Sequence, residues 1–330
     1  MKEKLLSVII PTYKGQESLA IALESLKRQT YKNIEVVVSD DNGVGTNDQR
    51  ETQVIVDSFA DSLNIVYLAN EHVNGSHARN KGLENAKGDF IAFLDDDDYY
   101  LEKYAENAIK AFEENDDAYF VFFDVAIVTR ENVSRLVQNE TITSKEFLFG
   151  RKEIGTGSNI CFRKEAYIED DGFDERYLRY QDIEFIVKKL HRYKSVWINK
   201  VCVVKYYNQI ENYLNYKKSL TMQKLLRDDM RENGILSEND YVTLKNNQLH
   251  GLYNDMLAKE MDKNDIEIVY NMLKDDSLLK PLDKAMFFVY SKSKKLFKTV
   301  FDLFMKGKSK KYDFDFGEVI KYRKKLENAD

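Results

Sequence analysis

Short apolar runs rich in β-branched residues alternate with amphipathic segments over residues 1–210. Such runs are typical of buried strands, and apolar residues repeated every three to four positions are typical of helices. Strands are predicted at residues 6–10, 34–38, 65–68, 90–94 and 119–128. Helices are predicted at residues 19–26, 49–60, 76–86 and 101–112, with Ser76 as the N-cap of the third. This order predicts an α/β fold with a doubly wound, mostly parallel central sheet.

From about residue 211 the strand signals fade, and helical patterns rich in Leu, Met, Lys, Asp and Asn replace them. We therefore predict an α/β domain at residues 1–210 and a helical C-terminal region at residues 211–330. The charge balance changes at the same place. Residues 1–210 carry 27 basic and 36 acidic side chains, whereas residues 211–330 carry 23 and 20.

The composition excludes several classes of protein. The net charge of −6 argues against a general nucleic-acid binder. Two cysteines, Cys161 and Cys202, cannot build a disulfide framework, which favours a reducing compartment. Neither a signal peptide nor an apolar run near the ~20 residues that span a bilayer is visible. These features predict a cytoplasmic protein.

A basic segment at residues 284–311 contains nine lysines and one acidic residue, Asp302. Its aromatic and aliphatic residues recur at a spacing of three to four. One interpretation is an amphipathic helix that lies on the anionic inner face of the cell membrane. The other is a helix that packs against the α/β domain or against a second subunit in a homo-oligomer. Both interpretations stay open.

Polar residues follow four of the predicted strands, where doubly wound sheets bind their ligands. They are Pro11-Thr12-Tyr13, Asp40-Asp41, residues 70–80 and Asp95-Asp96-Asp97-Asp98. In extended geometry Asp95 and Asp97 point the same way, so they can hold a divalent cation and leave sites for phosphates. The alternative is a solvated acidic turn, but the position directly after a buried strand favours the cation site.

Two further groups carry candidate chemistry. Asp40-Asp41 can accept hydrogen bonds from a base or ribose, or can belong to a plain turn. Arg79 lies near the start of a predicted helix, an arrangement that suits a diphosphate. The alternative is an exposed arginine on an amphipathic helix.

Taken together, these motifs resemble the family 2 glycosyltransferases, in order over about the first two hundred residues. The motifs are Pro11-Thr12-Tyr13, Ser39-Asp40-Asp41, Ser76-His77-Ala78-Arg79-Asn80 and Gly88-Asp89 through Asp98. The resemblance implies the GT-A nucleotide-diphospho-sugar transferase fold. It also implies a UDP-sugar donor, a divalent cation (Mn²⁺ or Mg²⁺) and inversion at the anomeric carbon. The nucleotide-sugar half would be residues 1–100, and the acceptor half residues 101–210.

The resemblance also implies roles for individual residues on the donor side. Thr12 and Tyr13 would flank the uridine beside Pro11, Asp41 would contact the uracil, and Asp40 would support it. Arg79 would approach the diphosphate. Asp97 would ligate the metal, and Asp95 would contact the ribose or the metal, with Asp96 in the nucleotide site.

A second motif supplies the acceptor side. Gly172-Phe173-Asp174-Glu175, followed by Gln181-Asp182, resembles the segment in which the family's Glu-Asp pair opens a helix. Asp182 is therefore the candidate general base, although Gln181 replaces the glutamate. Ser158, Asn159 and Gln181 are candidates for contacts to hydroxyls of the acceptor or donor sugar, with a plain glycine-rich loop as the alternative for the first two. The histidine that helps hold the metal in some relatives has no counterpart after Val204.

The predicted function is an inverting glycosyltransferase of surface polysaccharide synthesis. It would move a sugar from a UDP-sugar to a hydroxyl of a saccharide or lipid-linked saccharide acceptor. Two alternatives stay open: a sugar nucleotidyltransferase, and a non-catalytic binding or assembly subunit that keeps the fold.

Overall fold

The computed structural model describes residues 3–128, 133–136, 141–168, 172–206, 216–258, 261–292 and 322–326. The chain divides into two compact units. Unit 1 comprises Met1–Glu211 and Phe314–Asp330, and unit 2 comprises Asn212–Asp313. Within the described ranges, no helix is both long enough and apolar enough to cross a bilayer.

Nine strands form one sheet in the described part of unit 1, in the order β3-β2-β1-β4-β8-β6-β9-β5, with β7 pairing to β6. They are Leu6–Thr12 (β1), Ile34–Asp40 (β2), Asn64–Ala69 (β3), Phe90–Phe93 (β4), Tyr99–Tyr100 (β5), Ala118–Val128 (β6), Val133–Leu136 (β7), Cys161–Arg163 (β8) and Lys194–Tyr206 (β9). Strands β1 to β4 are parallel, as is the long β6–β9 pair. Strand β8 runs antiparallel between β4 and β6, so the second half of the sheet is mixed.

Residues 322–326 of unit 1 are helical, and seven further α-helices accompany the sheet among its described residues up to residue 206. They are Gln16–Lys27 (α1), Asn47–Asp57 (α2), Gly75–Asn85 (α3), Tyr104–Glu114 (α4), Ser144–Leu148 (α5), Glu165–Ile168 (α6) and Gln181–Arg192 (α7). The N-cap of α3 is Asn74, whose side chain accepts the backbone N–H of His77 at 2.9 Å. The prediction of Ser76 as the cap is therefore wrong, because the helix begins one residue before it.

The alternation of side chains along β1 divides the core between the two faces of the sheet. Leu6, Val8 and Ile10 pack in one cluster with buried residues of α1 and α4. Ile9 points the other way, toward Gly82 of α3. Aromatic rings from β4, β8 and α7 pack together in unit 1 as well, with 6.1 Å between the ring centroids of Phe93 and Phe162 and 5.7 Å between those of Phe162 and Phe185.

Unit 2 is helical in its described residues. Its helices are Tyr216–Glu232 (α8), Glu238–Ala258 (α9), Lys263–Asp275 (α10) and Pro281–Lys292 (α11). Tyr253, Met256 and Ile266 are fully buried in the core of this unit. Residues 293–311 of the basic segment lie outside the described residues, so both interpretations of that segment stay predictions.

Candidate active site

The carboxyl ends of β1, β2 and β4 meet at one edge of the sheet because these strands are parallel neighbours. Two hydrogen bonds join the loops that follow them. The backbone N–H of Asp41 donates to the carbonyl of Thr12 at 2.9 Å. The hydroxyl of Thr12 donates to the carboxylate of Asp96 at 2.6 Å. The structure therefore brings together predicted site residues from three strand ends.

An aromatic pair lies beside Asp41. The rings of Tyr13 and His72 stack, with 4.4 Å between their centroids and 11° between their planes. The Nδ1 atom of His72 lies 2.9 Å from one carboxylate oxygen of Asp41, and the backbone N–H of Val73 donates to the other at 3.0 Å. His72 is missing from the sequence-based candidates because a lone histidine after a strand has no distinguishing spacing.

Asp40 lies entirely in the interior. Its carboxylate accepts the hydroxyl of Tyr67 at 2.6 Å and the backbone N–H of Asn42 at 2.8 Å. Burial raises the pKa of Asp40 above its ordinary value. Asp40 thus braces the loop that carries Asp41, while Pro11 lies half-buried in β1 beside Ser39.

Arg79 lies in the second turn of α3, with only 11% of its side chain exposed. One guanidinium nitrogen donates to the carboxylate of Asp95 at 2.6 Å, and the other donates to the carbonyl of Gly75 at 3.2 Å. A guanidinium has five N–H groups, so further donors remain for a ligand. The helix start thus contributes a fixed positive charge beside the acidic cluster.

The four aspartates after β4 form a turn, closed by a hydrogen bond from the N–H of Asp98 to the carbonyl of Asp95 at 3.0 Å. The expected extended geometry is therefore wrong for this segment. The carboxylates separate instead: Asp95 pairs with Arg79, Asp96 accepts from Thr12, Asp97 is exposed and Asp98 is buried.

The carboxylate of Asp98 accepts the hydroxyls of Thr156 and Ser158 at 2.7 and 2.6 Å. Ser158 in turn accepts the backbone N–H of Asp95 at 2.9 Å. Burial, reinforced by the neighbouring carboxylates, raises the pKa of Asp98. The loop at residues 155–159 is thereby attached to the acidic turn.

Ser158 and Asn159, the two residues of this loop that were predicted to contact a sugar, are both fully buried. The structure therefore corrects that prediction. The hydroxyl of Ser158 bridges the acidic turn. The side-chain amide of Asn159 pairs with both backbone groups of Phe123, at 2.9 and 2.8 Å. Ser158 and Asn159 therefore hold the loop in place from the interior and do not face an open surface.

Negative charge exceeds positive charge at this edge. Burial and repulsion from Asp97 and Asp95 raise the pKa of Asp96 to about 7. Carboxylate oxygens are hard ligands, and an excess of them over nearby positive charges suits a divalent cation such as Mg²⁺ or Mn²⁺. Within the described residues, no group of three His, Cys, Asp or Glu side chains converges as a complete ligand set. A cation held here would draw its remaining ligands from elsewhere.

The first turn of α7 lies beside the first turn of α3. A Cβ placed on Gly75 would be 3.0 Å from Arg79 Nη1 and 3.7 Å from Gln181 Nε2. Asp182 follows Gln181 and is half-buried, with one carboxylate oxygen 2.9 Å from the backbone N–H of Ile183. The predicted acceptor-side motif is thus adjacent to the helix that carries Arg79.

The sheet, parallel from β1 to β4 and mixed beyond, with polar residues grouped at the carboxyl ends of β1, β2 and β4, fits the GT-A nucleotide-diphospho-sugar transferase fold. Solved structures share this fold. TarS 1–349 of Staphylococcus aureus in complex with UDP-GlcNAc superposes with a TM-score of 0.64, at 20% identity, over 94% of this chain and 95% of that one.

The sequence profile of glycosyl transferase family 2 matches residues 7–171, half of the chain. The chain belongs to this family.

Curated relatives carry related names. The amylovoran biosynthesis glycosyltransferase AmsB of Erwinia amylovora is 31% identical over 57% of this chain and 64% of its own length. The Escherichia coli protein WfgD is named as a UDP-Glc:α-D-GlcNAc-diphosphoundecaprenol β-1,3-glucosyltransferase. It is 33% identical over 48% of this chain and 59% of its own length. A Campylobacter jejuni protein is named as a GalNAc(5)-diNAcBac-PP-undecaprenol β-1,3-glucosyltransferase. It is 28% identical over 68% of this chain and 75% of its own length. The chain spans less than two thirds of AmsB and WfgD.

Proposed function

We propose that this protein is an inverting glycosyltransferase that moves a sugar from a UDP-sugar to a hydroxyl of a lipid-linked saccharide. The observation that carries the proposal is the meeting of Thr12, Asp41, Arg79 and Asp95 at one sheet edge, beside the helix that begins at Gln181. Family membership favours this function over that of a sugar nucleotidyltransferase.

On the donor side, we assign the uridine to the ends of β1 and β2. Tyr13 is 47% exposed and offers a ring face to a base, and the buried carboxylate of Asp41 retains lone pairs for a uracil N–H. Arg79 faces the diphosphate through its remaining N–H groups. Its ion pair with Asp95 fixes the position of the guanidinium before the donor binds.

We assign a divalent cation to Asp97 and Asp95. Magnesium-type sites are commonly held by one or two carboxylates and completed by substrate phosphates, which fits a cluster of this kind. The cation would offset the charge that develops on the departing UDP. Asp96 and Asp98 are fixed by Thr12, Thr156 and Ser158, so they shape the turn that presents the other two.

The chemical step requires a base near the acceptor hydroxyl. One carboxylate oxygen of Asp182 accepts the N–H of Ile183, so the other can take the proton. The acceptor oxygen then forms a bond to the anomeric carbon from the face opposite UDP as the bond to the diphosphate breaks. Arg79 stabilises the negative charge on the leaving UDP. An α-linked donor gives a β-linked product.

The relatives support the choice of substrates. WfgD is named for UDP-glucose as donor, and WfgD and the Campylobacter protein are both named for acceptors linked through diphosphate to undecaprenol. We therefore assign a diphosphate-linked lipid saccharide as acceptor and place UDP-glucose first among the donors to be tested.

The test is UDP release from a panel of UDP-sugars with Mn²⁺, with and without a GlcNAc-diphospho-lipid. Asp182→Asn is expected to lower turnover by about 10²- to 10⁴-fold while leaving UDP affinity unchanged. Asp265→Asn, in the first turn of α10, is the matched control and is expected to retain full turnover.

Absence of UDP release from every donor, with acceptor present, would contradict the transferase and favour the non-catalytic alternative. Full turnover by Asp182→Asn would contradict the base assignment alone.

A further inference from the structure

The side-chain amide of Asn80 holds the backbone of the acceptor-side motif. The backbone N–H of Phe173 donates to Asn80 Oδ1 at 2.8 Å, and Asn80 Nδ2 donates to the Phe173 carbonyl at 2.8 Å. The approach is close enough to require Gly172, because a Cβ there would lie 2.4 Å from Asn80 Oδ1. An amide that satisfies both backbone groups of one residue fixes its position and orientation.

Other residues of α3 and its cap hold the same segment, residues 172–180, which we call the acceptor segment. Asn74 Nδ2 donates to the Glu175 carbonyl at 3.1 Å. The carboxylate of Glu175 lies 3.1 Å from His77 Nδ1 and accepts Asn80 Nδ2 at 3.2 Å. The contacts therefore recur at positions 74, 77 and 80, which share one face of the helix.

Phe173 transmits this constraint to α7. Its ring stacks on that of Phe185, with 4.3 Å between centroids and 8° between planes. Phe185 lies three residues after Asp182, on the same helical face. The guanidinium carbon of Arg79 lies 5.7 Å from the centroid of the Phe173 ring. Packed contacts thus run from Asn80 through Phe173 and Phe185 to the helix of Asp182.

We propose that Asn80 is a positioning residue that sets the distance between the diphosphate-binding Arg79 and the base Asp182. This inference rests on the proposed function. Proton transfer requires the base within about 3 Å of the acceptor hydroxyl. A displacement of about 1 Å can lower the rate on the order of 10²-fold. Loss of this clamp should reduce catalysis without weakening donor binding.

Asn80→Asp tests the proposal with little change of shape. The aspartate still accepts from Phe173 N–H, but it cannot donate to the Phe173 carbonyl and it faces the carboxylate of Glu175. The matched control is Asn85→Asp on the same helix, where the exposed amide donates to the Lys81 carbonyl. Gly172→Ala is a second variant, since its methyl group would displace the Asn80 amide.

With Mn²⁺ and the turned-over UDP-sugar, Asn80→Asp and Gly172→Ala are expected to lower kcat on the order of 10- to 100-fold. The KM for the donor and the calorimetric Kd for UDP should stay within about twofold of wild type, a split that a general folding defect would not produce. Tryptic cleavage after Arg176 and Arg179 in the acceptor segment should accelerate in both variants. Asn85→Asp should match wild type throughout.

A kcat for Asn80→Asp equal to that of Asn85→Asp would overturn the inference, as would a loss of UDP affinity in proportion to kcat. Unchanged tryptic cleavage in both test variants would also overturn it, whatever the turnover. A wild-type protein that binds UDP but turns over no UDP-sugar would instead contradict the proposed function.

Discussion

At the scale of single residues, the hydroxyl of Ser158 connects two parts of the acidic turn. It donates to the buried carboxylate of Asp98 and accepts the backbone N–H of Asp95. Removing a hydroxyl from such a position leaves a buried donor without a partner and removes a donor from a buried carboxylate. Both losses cost more than the bond itself contributes.

Ser158→Ala is therefore expected to lower the free energy of unfolding by about 1–3 kcal/mol. Ser62→Ala is the control, because the Ser62 hydroxyl donates to the Phe59 carbonyl at an exposed site. Its expected effect is within about 0.5 kcal/mol. Urea denaturation of the two variants measures the difference. Equal midpoints would contradict the bridging role of Ser158.

The sequence places the polar residues of the site near strand ends but does not show which way each side chain points. A serine in a glycine-rich loop can bond a sugar hydroxyl or a buried carboxylate, and its own hydroxyl group serves either contact. Ser158 bonds the buried carboxylate of Asp98 and Asn159 bonds the backbone of Phe123, whereas Tyr13 stays exposed. The choice depends on Asp98 and Phe123, which are distant in the chain from this loop.

At the scale of elements, α3 packs directly on β1 through Gly82. A Cβ at this position would lie 2.3 Å from Ile9 Cγ2 and 3.4 Å from Ile9 Cβ. The β-branched side chain cannot move away without disturbing the buried strand. The glycine therefore permits the helix to lie close to the sheet, which places Arg79 and Asn80 at the site.

Gly82→Ala is expected to lower the free energy of unfolding by about 1 kcal/mol, because overpacking of 1–3 kcal/mol exceeds the gain in helix propensity. Gly251→Ala in α9 is the matched comparison. Among the described residues, no atom beyond the helix's own neighbouring backbone lies within 4 Å of its added Cβ, so the variant should gain about 0.5–1 kcal/mol. Thermal or urea unfolding measures whether each variant is more or less stable than the wild type. Stabilisation by Gly82→Ala would contradict the close packing.

Apart from the two-residue β5, the alternation of strands and helices up to β6 follows from the sequence because each element has a clear period. The second half of the sheet does not follow from the sequence. Strands β5, β7 and β8 are only two to four residues long, too short for a pattern. Strand β9 is long, but Lys194, Lys200 and Lys205 interrupt its apolar residues. Its partner β6 supplies the pairing that the local sequence does not indicate.

At the scale of the whole molecule, every described residue of the candidate site lies in unit 1. The site combines residues from positions 12 to 182, which meet only when the sheet has formed. Local patterns predict the strand ends, and the resemblance to family 2 supplies the order of the motifs. The contacts between α3 and the acceptor segment depend on tertiary packing, which no local pattern shows.

The most direct test of the account is a calorimetric titration of the full chain with UDP, in Mn²⁺ and after chelation with EDTA. We expect one UDP per chain in Mn²⁺ and an affinity at least about tenfold weaker after chelation, a difference of about 1.4 kcal/mol. Affinity unchanged by chelation would contradict the cation assignment to Asp95 and Asp97. Absence of saturable UDP binding in Mn²⁺ would contradict the UDP-sugar site itself.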